Sequence, residues 1–322
     1  MPFCILITRK IPDAGIKLLQ EKGYKLKINL QDRPLTKQEL QEKIRDCDGV
    51  ISLLSDTIDK EIIDAAPRLK VIANYAVGYN NIDVQYASAR NIWVTNTPDV
   101  LTPATADLAW ALLMAVSKRI VEADAFVRAG KFKGWAPELL LGHDVTGKTL
   151  GIIGAGRIGQ AVGRRARGFD MQLLYHSRHP KPKFEAESGA HHAALDELLR
   201  MSDFVSLHCP LTQETYHLLN AQRLNSMKPG SILINTARGA VVDEAALVQA
   251  LKEGPLAGAG LDVYEHEPQI HPELLKMSNV VLLPHIGSAT TETRNEMARM
   301  VARNVIGVLE QGQAVNPVNK VQ

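Results

Sequence analysis

Residues 149–159 read TLGIIGAGRIG. An apolar run leads into Gly154-Ala155-Gly156-Arg157-Ile158-Gly159, and a helical pattern then continues to about Gly168. Each glycine has its own physical reason. Gly154 permits a tight turn at the end of a buried strand. Gly156 lets the backbone approach a pyrophosphate, and Gly159 lets the helix pack closely on the strand. The helix N-terminus adds N–H groups and the positive end of a dipole where phosphate oxygens would lie. The pattern alone is a weak signal, but between a strand and a helix it predicts a dinucleotide-binding βαβ unit. The competing reading is a glycine-rich turn with no ligand.

Downstream, the next strand runs from Gln172 to Tyr175 and ends in His176-Ser177-Arg178-His179. NAD-binding folds usually place an acid here to accept hydrogen bonds from the ribose 2′-hydroxyl. No Asp or Glu occurs between Met171 and Phe184. A carboxylate would repel a 2′-phosphate, whereas Arg178 and Ser177 can hold one. The expected cofactor is therefore NADP(H) in preference, with NAD(H) possible. The alternative for Arg178 is a solvated charge stacked on adenine.

Three later strands end in charged residues. Ser231 to Asn235 precedes Thr236-Ala237-Arg238-Gly239. Ala257 to Leu261 precedes Asp262 and then Tyr264-Glu265-His266-Glu267-Pro268. Val280 to Leu283 precedes Pro284-His285-Ile286-Gly287. Ligands of open parallel sheets bind beyond the carboxyl ends of the strands, so Arg238, Asp262, Glu267 and His285 are expected near a bound cofactor. An arginine grips a carboxylate in a fixed fork. A histidine gives a proton at neutral pH, and a neighbouring carboxylate favours its charged form. That set suits reduction of a 2-oxo acid. Taken singly, Arg238 could pair with Asp243, and Glu265 could replace Glu267 as the functional acid.

Upstream, strand and helix patterns alternate from the first residues. Strands are expected at Ile5-Leu6-Ile7, around 25–29, at Val50 to Leu53, at Val71 to Ala73 and at Val94. Helices are expected over 13–22 and from Thr36 to Arg45, where Thr36 and Glu39 have capping-box spacing. The chain breaks at Asn96-Thr97-Pro98. Thr102-Pro103 then opens a helical pattern that runs to about Arg128, with threonine as N-cap and proline at the first helical position. A second alternation runs from Lys148 to about Pro284, and one more helix spans about Thr291 to Leu309. This order predicts an α/β protein of two Rossmann-like, doubly wound parallel-sheet domains, the cofactor domain inserted into the substrate domain. The expected boundaries are 1–98 with 288–322 for the substrate domain, and 99–287 for the dinucleotide-binding domain.

Composition narrows the function classes. The chain has 322 residues, 37 Lys plus Arg against 35 Asp plus Glu, a formal charge of +2. That balance argues against a dedicated nucleic-acid binder. The sequence has no apolar run of the roughly 18 residues needed to cross a membrane, and MPFCILITRK does not resemble a signal peptide. Cys4, Cys47 and Cys209 are too scattered for a disulfide framework or a metal site. No metal is expected, and the expected location is cytoplasmic.

GAGRIG at 154–159, LINTARGAVVDE at 233–244, AGAGLDVYEHEP at 257–268 and LPHIGSAT at 283–290 resemble the D-isomer-specific 2-hydroxyacid dehydrogenase family. ANYAVGYNNID at 73–83 and NTPDVLTPATADLA at 96–109 look most like its glyoxylate/hydroxypyruvate reductases. The resemblance implies that Arg238 binds the substrate carboxylate and polarises the keto group, and that His285, paired with Glu267, donates the proton. It implies that Asp262 binds the nicotinamide carboxamide and that Val77 and Gly78 offer backbone N–H groups to the substrate. Ala155 to Ile158, Ser177 to His179, Cys209-Pro210 and Thr236-Ala237-Arg238 would line the cofactor, with His285 and Gly287 beside it. The family forms dimers through the inserted domain. Trp135 matches a tryptophan that reaches the partner's active site, and Leu139, Leu140 and Leu141 beside it suit a contact surface. Leu53, Leu54 and Tyr75 are candidate pocket walls. Val77 stands in a loop where related phosphite dehydrogenases carry a lysine, which lowers that reading. The remaining alternatives are a dehydrogenase of larger 2-oxo acids and an NAD(H)-sensing corepressor-like binding protein.

Overall fold

A computed structural model describes residues 2–321. The chain forms two compact units, Met1–Leu101 with Ser288–Gln322, and Thr102–Gly287. In the first, strands β1 (Cys4–Ile7), β2 (Lys25–Ile28), β3 (Gly49–Ser52), β4 (Val71–Asn74) and β5 (Trp93–Thr95) pair in parallel in the order β2-β1-β3-β4-β5. β1, β3 and β4 are buried along their whole length. Continuous apolar runs of this kind mark a parallel sheet covered on both faces. The strand order reverses between β1 and β3, so their carboxyl ends open a crevice.

The helices of this unit begin where the sequence places caps. Thr36 and Glu39 make the reciprocal capping box ahead of helix Lys37–Ile44. The last helix, Thr291–Gln311, packs against helix Asp13–Glu21 so closely that a Cβ on Gly15 would lie 2.3 Å from the Ala298 carbonyl oxygen.

In the second unit, β6 (Thr149–Ile153), β7 (Gln172–His176), β8 (His191–His192), β9 (Phe204–Leu207), β10 (Ser231–Asn235), β11 (Leu256–Leu261) and β12 (Val280–Leu282) form a parallel sheet. The order is β12-β11-β10-β9-β6-β7-β8. The reversal here falls between β6 and β9, which puts the glycine motif after β6 at the switch point.

One expectation fails in this unit. The helical pattern to Arg128 is two helices, Thr102–Ser117 and Ile120–Arg128, broken at Arg119, which has φ 51°. The cause lies elsewhere in the chain. His143 N–H donates to the Ser117 carbonyl at 2.8 Å, and a Cβ on Gly142 would sit 2.2 Å from that same oxygen. The returning chain takes a carbonyl that continued helix would need. The first helix starts at Thr102 itself, so Thr102 lies inside it and is not its N-cap. Helix Ile120–Arg128 buries none of its side chains, and the loop after it leaves Trp135 85% and Leu141 64% exposed.

Candidate active site

At the end of β6, Gly154 has φ 98°, and a Cβ on it would lie 2.5 Å from the Cys209 nitrogen. Only glycine meets both conditions. A Cβ on Gly159 would lie 2.1 Å from the Gly154 carbonyl oxygen, so the helix is pressed onto the turn. Gly156, the N-cap of helix Arg157–Ala166, has nothing within 4 Å of its Cβ position. The backbone is thus bare where a pyrophosphate would approach, and Gly156 has no side chain to cap the helix. Across the switch point, the Thr236 hydroxyl is buried with no hydrogen-bond partner among the described residues. A bare cradle and an unanswered buried hydroxyl fit a dinucleotide.

At the end of β7, the Ser177 hydroxyl donates to the His179 carbonyl at 2.7 Å, which folds the turn on itself and leaves Arg178 and His179 exposed. The charge of Arg178 also reaches Glu214, helping to hold that carboxyl below its usual range after the dominant Thr212 hydrogen bond. Cys209 is buried beneath Gly154, and burial pushes its thiol up to about 11. Its neighbour Pro210 is exposed, with its carbonyl accepting from the Thr215 hydroxyl at 2.6 Å.

The strand ends β10, β11 and β12 form a hydrogen-bonded group. His285 Nδ1 lies 2.8 Å from Glu267 Oε2, and Glu267 Oε1 accepts from the Tyr264 N–H at 3.1 Å. Burial pushes the Glu267 carboxyl up, but the His285 hydrogen bond and charge, with the Tyr264 N–H and the Arg238 charge, hold it below its ordinary value. Glu265 faces elsewhere, toward His217 Nε2 at 2.6 Å and the Glu244 N–H at 3.1 Å. Asp262, 1% exposed, accepts from the Ile286 and Gly287 N–H groups at 2.7 and 2.8 Å. Its carboxylate therefore holds the turn carrying His285, whose φ is 55°. Burial lowers the Arg238 guanidinium from its usual value, and the charge of Glu267 works against that shift. Asp243, the other acid proposed for Arg238, caps helix Glu244–Lys252 by accepting from the Ala246 N–H.

In the first unit, the loop after β4 carries Val77 and Gly78. Asn96 Nδ2 donates to the Val77 carbonyl at 2.8 Å, and Asn74 Nδ2 to the Gly78 carbonyl at 2.7 Å. A trans peptide plane points its N–H opposite its carbonyl, so anchoring the Val77 carbonyl aims the Gly78 N–H the other way.

Sequence reasoning missed two residues that support this geometry. Asn235 accepts from the Ala237 N–H and donates to the Arg238 carbonyl, both at 3.0 Å, so it shapes the turn that presents Arg238. A buried asparagine ending an apolar strand was the available signal. A Cβ on Gly239 would come 1.8 Å from the Tyr264 carbonyl carbon, so the Arg238 turn rests on the backbone leading to Glu267. No local pattern marks that contact.

Two parallel α/β sheets, a dinucleotide cradle at one switch point and a carboxylate–histidine pair at neighbouring strand ends define an NAD(P)-dependent dehydrogenase. The family described as "D-isomer specific 2-hydroxyacid dehydrogenase, NAD binding domain" matches residues 110–287. The chain is 56% identical to a glyoxylate reductase of Thermococcus onnurineus, over 94% of this chain and 91% of that one. Among solved structures, the TT0316 protein of Thermus thermophilus superposes with TM-score 0.92 at 48% identity, covering 98% of this chain and all of the other (100%). An NADPH-dependent glyoxylate/hydroxypyruvate reductase of Sinorhizobium meliloti, solved with NADP and malonate, gives TM-score 0.87 at 36% identity. It covers 99% of this chain and 97% of its own. The chain belongs to the D-isomer specific 2-hydroxyacid dehydrogenase family, as its motifs indicated. No helix among the described residues is long and apolar enough to cross a membrane.

Proposed function

We propose that the protein reduces glyoxylate and hydroxypyruvate to glycolate and D-glycerate, with NADPH preferred over NADH. The Glu267–His285 pair carries this reading. With His285 Nδ1 committed to Glu267, Nε2 is the ring nitrogen that meets a substrate oxygen. The carboxylate holds Nδ1 and fixes the ring plane. A reduced nicotinamide held at the glycine cradle would supply the hydride that the substrate C2 accepts. His285 gives its Nε2 proton to the keto oxygen, which becomes the product hydroxyl. Arg238 forks onto the substrate carboxylate and remains charged despite burial, because an arginine does not lose its proton in proteins. Val77 and Gly78 are the candidate backbone N–H donors to substrate in the first unit, and in the second Asp262 keeps the His285 turn in place and would meet the nicotinamide carboxamide.

The names of the Thermococcus and Sinorhizobium relatives support glyoxylate and hydroxypyruvate as substrates. The acid-free end of β7 and the exposed Arg178 support NADPH. On this reading, residues 99–287 bind the cofactor, and residues 1–98 with 288–322 bind substrate. The free cysteines support work in the reducing cytoplasm.

The same reading makes the protein a homodimer. Helix Ile120–Arg128 has no buried side chain, and Phe132, Trp135 and Leu141 are each more than half exposed. A short helix gains most of its stability from packing, and exposed apolar patches of this kind mark contact surfaces. A second copy covers this arm, and Trp135 reaches the partner's substrate. The functional test is oxidation of NADPH by glyoxylate and by hydroxypyruvate. Absence of turnover with both would refute the reading.

A further inference from the structure

β8 is a strand of two exposed histidines, His191 and His192, at the edge of the second sheet. His191 lies opposite Leu174 of β7, and His192 opposite Tyr175. Two side chains carry the pairing past the end of that ladder. His176 Nδ1 lies 3.0 Å from the Ala193 carbonyl oxygen, and His192 Nε2 lies 3.0 Å from the Ser177 carbonyl oxygen. A carbonyl oxygen only accepts, so each ring nitrogen is the donor. The His192 ring is itself held, 5.1 Å centre to centre from Tyr175 and nearly parallel to His176 at 6.2 Å.

The turn after β7 is also closed by its own bonds. The Ser177 hydroxyl gives its one proton to the His179 carbonyl at 2.7 Å. The hydroxyl of buried Tyr175 accepts from the Lys181 N–H at 2.6 Å and donates to Glu185 at 2.5 Å. Arg178 thus stands at the apex of a turn fixed at residues 177, 179 and 181. The peptide plane that enters it is set from β8, because holding the Ser177 carbonyl fixes the rigid amide that carries the Arg178 nitrogen. Among the described residues the Arg178 guanidinium makes no hydrogen bond or ion pair, but its charge reaches Glu214. A long exposed side chain with an acid in range meets an incoming anion at a cost in freedom. A fixed backbone lowers that cost.

We infer that His192 is a positioning residue for cofactor choice: through the Ser177 carbonyl it orients Arg178 toward a 2′-phosphate, and so adds to the preference for NADPH over NADH. The inference rests on the NADPH reading above. The Ser177 hydroxyl is committed to the turn, which leaves Arg178 as the charged partner of the phosphate. NADH has a 2′-hydroxyl in that place and gains little from the arginine's orientation. A merely structural His192 would affect both cofactors alike. The ratio of the two affinities therefore separates the roles.

The test needs no turnover. Kd for NADPH and for NADH is measured by fluorescence titration in wild type, His192→Ala, His192→Gln, Arg178→Ala and the double variant His192→Ala with Arg178→Ala. Circular dichroism checks the fold. His192→Ala should lower the NADPH-to-NADH affinity ratio by roughly three- to tenfold, the scale of one hydrogen bond, and leave NADH affinity unchanged. His192→Gln, whose amide can donate to the same carbonyl, should keep most of the ratio. In the Arg178→Ala background the His192 change should alter the ratio no further, because it acts through Arg178. A folded His192→Ala with the wild-type ratio, or an equal fall in ratio when Arg178 is absent, overturns the inference. If Arg178→Ala shrinks the ratio and His192→Ala does not, the role of His192 fails alone. If Arg178→Ala leaves the ratio unmoved, the NADPH reading fails and the role of His192 falls with it.

Discussion

Glu267 Oε2 lies 2.8 Å from His285 Nδ1, while Glu265, two residues earlier, is turned toward His217. One acid of the segment thus serves the histidine and the other serves the scaffold. Replacing them should separate the two roles. Glu267→Gln removes the carboxylate that fixes the His285 ring, so kcat for glyoxylate reduction should fall, by up to the roughly 10²–10⁴-fold that a general acid–base group contributes. Glu265→Gln should lower the melting temperature and leave kcat near the wild-type value. The Glu267 carboxyl is held below its ordinary value, so its pairing with His285 is present above the usual carboxylate range. It is lost only as pH falls through the depressed value. A pH–rate profile for each variant checks both statements.

The glycine fingerprint makes a contrast between two alanine variants. Gly156 has open space at its Cβ position, so Gly156→Ala should fold with a nearly unchanged melting temperature and bind NADPH at least about tenfold more weakly, a loss of roughly 1.4 kcal/mol. Gly154 has φ 98° and the Cys209 nitrogen 2.5 Å from its Cβ position. Gly154→Ala should destabilise the protein by more than about 2 kcal/mol, or prevent soluble expression. Thermal melts and cofactor titration separate the two outcomes.

Much of this site was legible because backbone necessity writes itself into sequence. The Thr36 capping box and the Gly154–Gly159 contact span five residues or fewer, and the buried strands carry their burial in their own apolar runs. What was not legible depends on distant chain. The helix ends at Ser117 because Gly142 and His143 return to its carbonyl, and nothing near Ser117 announces this. The choice between Glu265 and Glu267 depends on how the turn before Pro268 aims each side chain. β8 is two histidines long and carries neither alternation nor β-branched residues, so periodicity could not find it.

Cofactor choice rests on the exposed Arg178. Wild type should show a lower KM for NADPH than for NADH, and Arg178→Ala should shrink that preference by about one decade, within the ~1.5–3 kcal/mol of a charge-assisted hydrogen bond. An unchanged ratio would remove the 2′-phosphate role from Arg178 and leave it as an adenine-facing surface charge.

The exposed arm predicts assembly. Sedimentation at micromolar concentration should give a dimer, and the double variant Trp135→Asp with Leu141→Asp should give a monomer with a lower melting temperature. Trp135→Ala alone should keep the dimer and change the ratio of hydroxypyruvate to glyoxylate efficiency. A wild-type monomer would refute the assembly. An unchanged ratio would confine Trp135 to the interface.

The most direct test of the whole account is single-variant kinetics on His285. NADPH oxidation by glyoxylate is measured for wild type and His285→Ala, with cofactor affinity determined separately by fluorescence titration. The account predicts measurable wild-type turnover, a fall in kcat of about 10²–10⁴-fold in the variant, and unchanged NADPH affinity. Near-wild-type turnover by His285→Ala at neutral pH would contradict it.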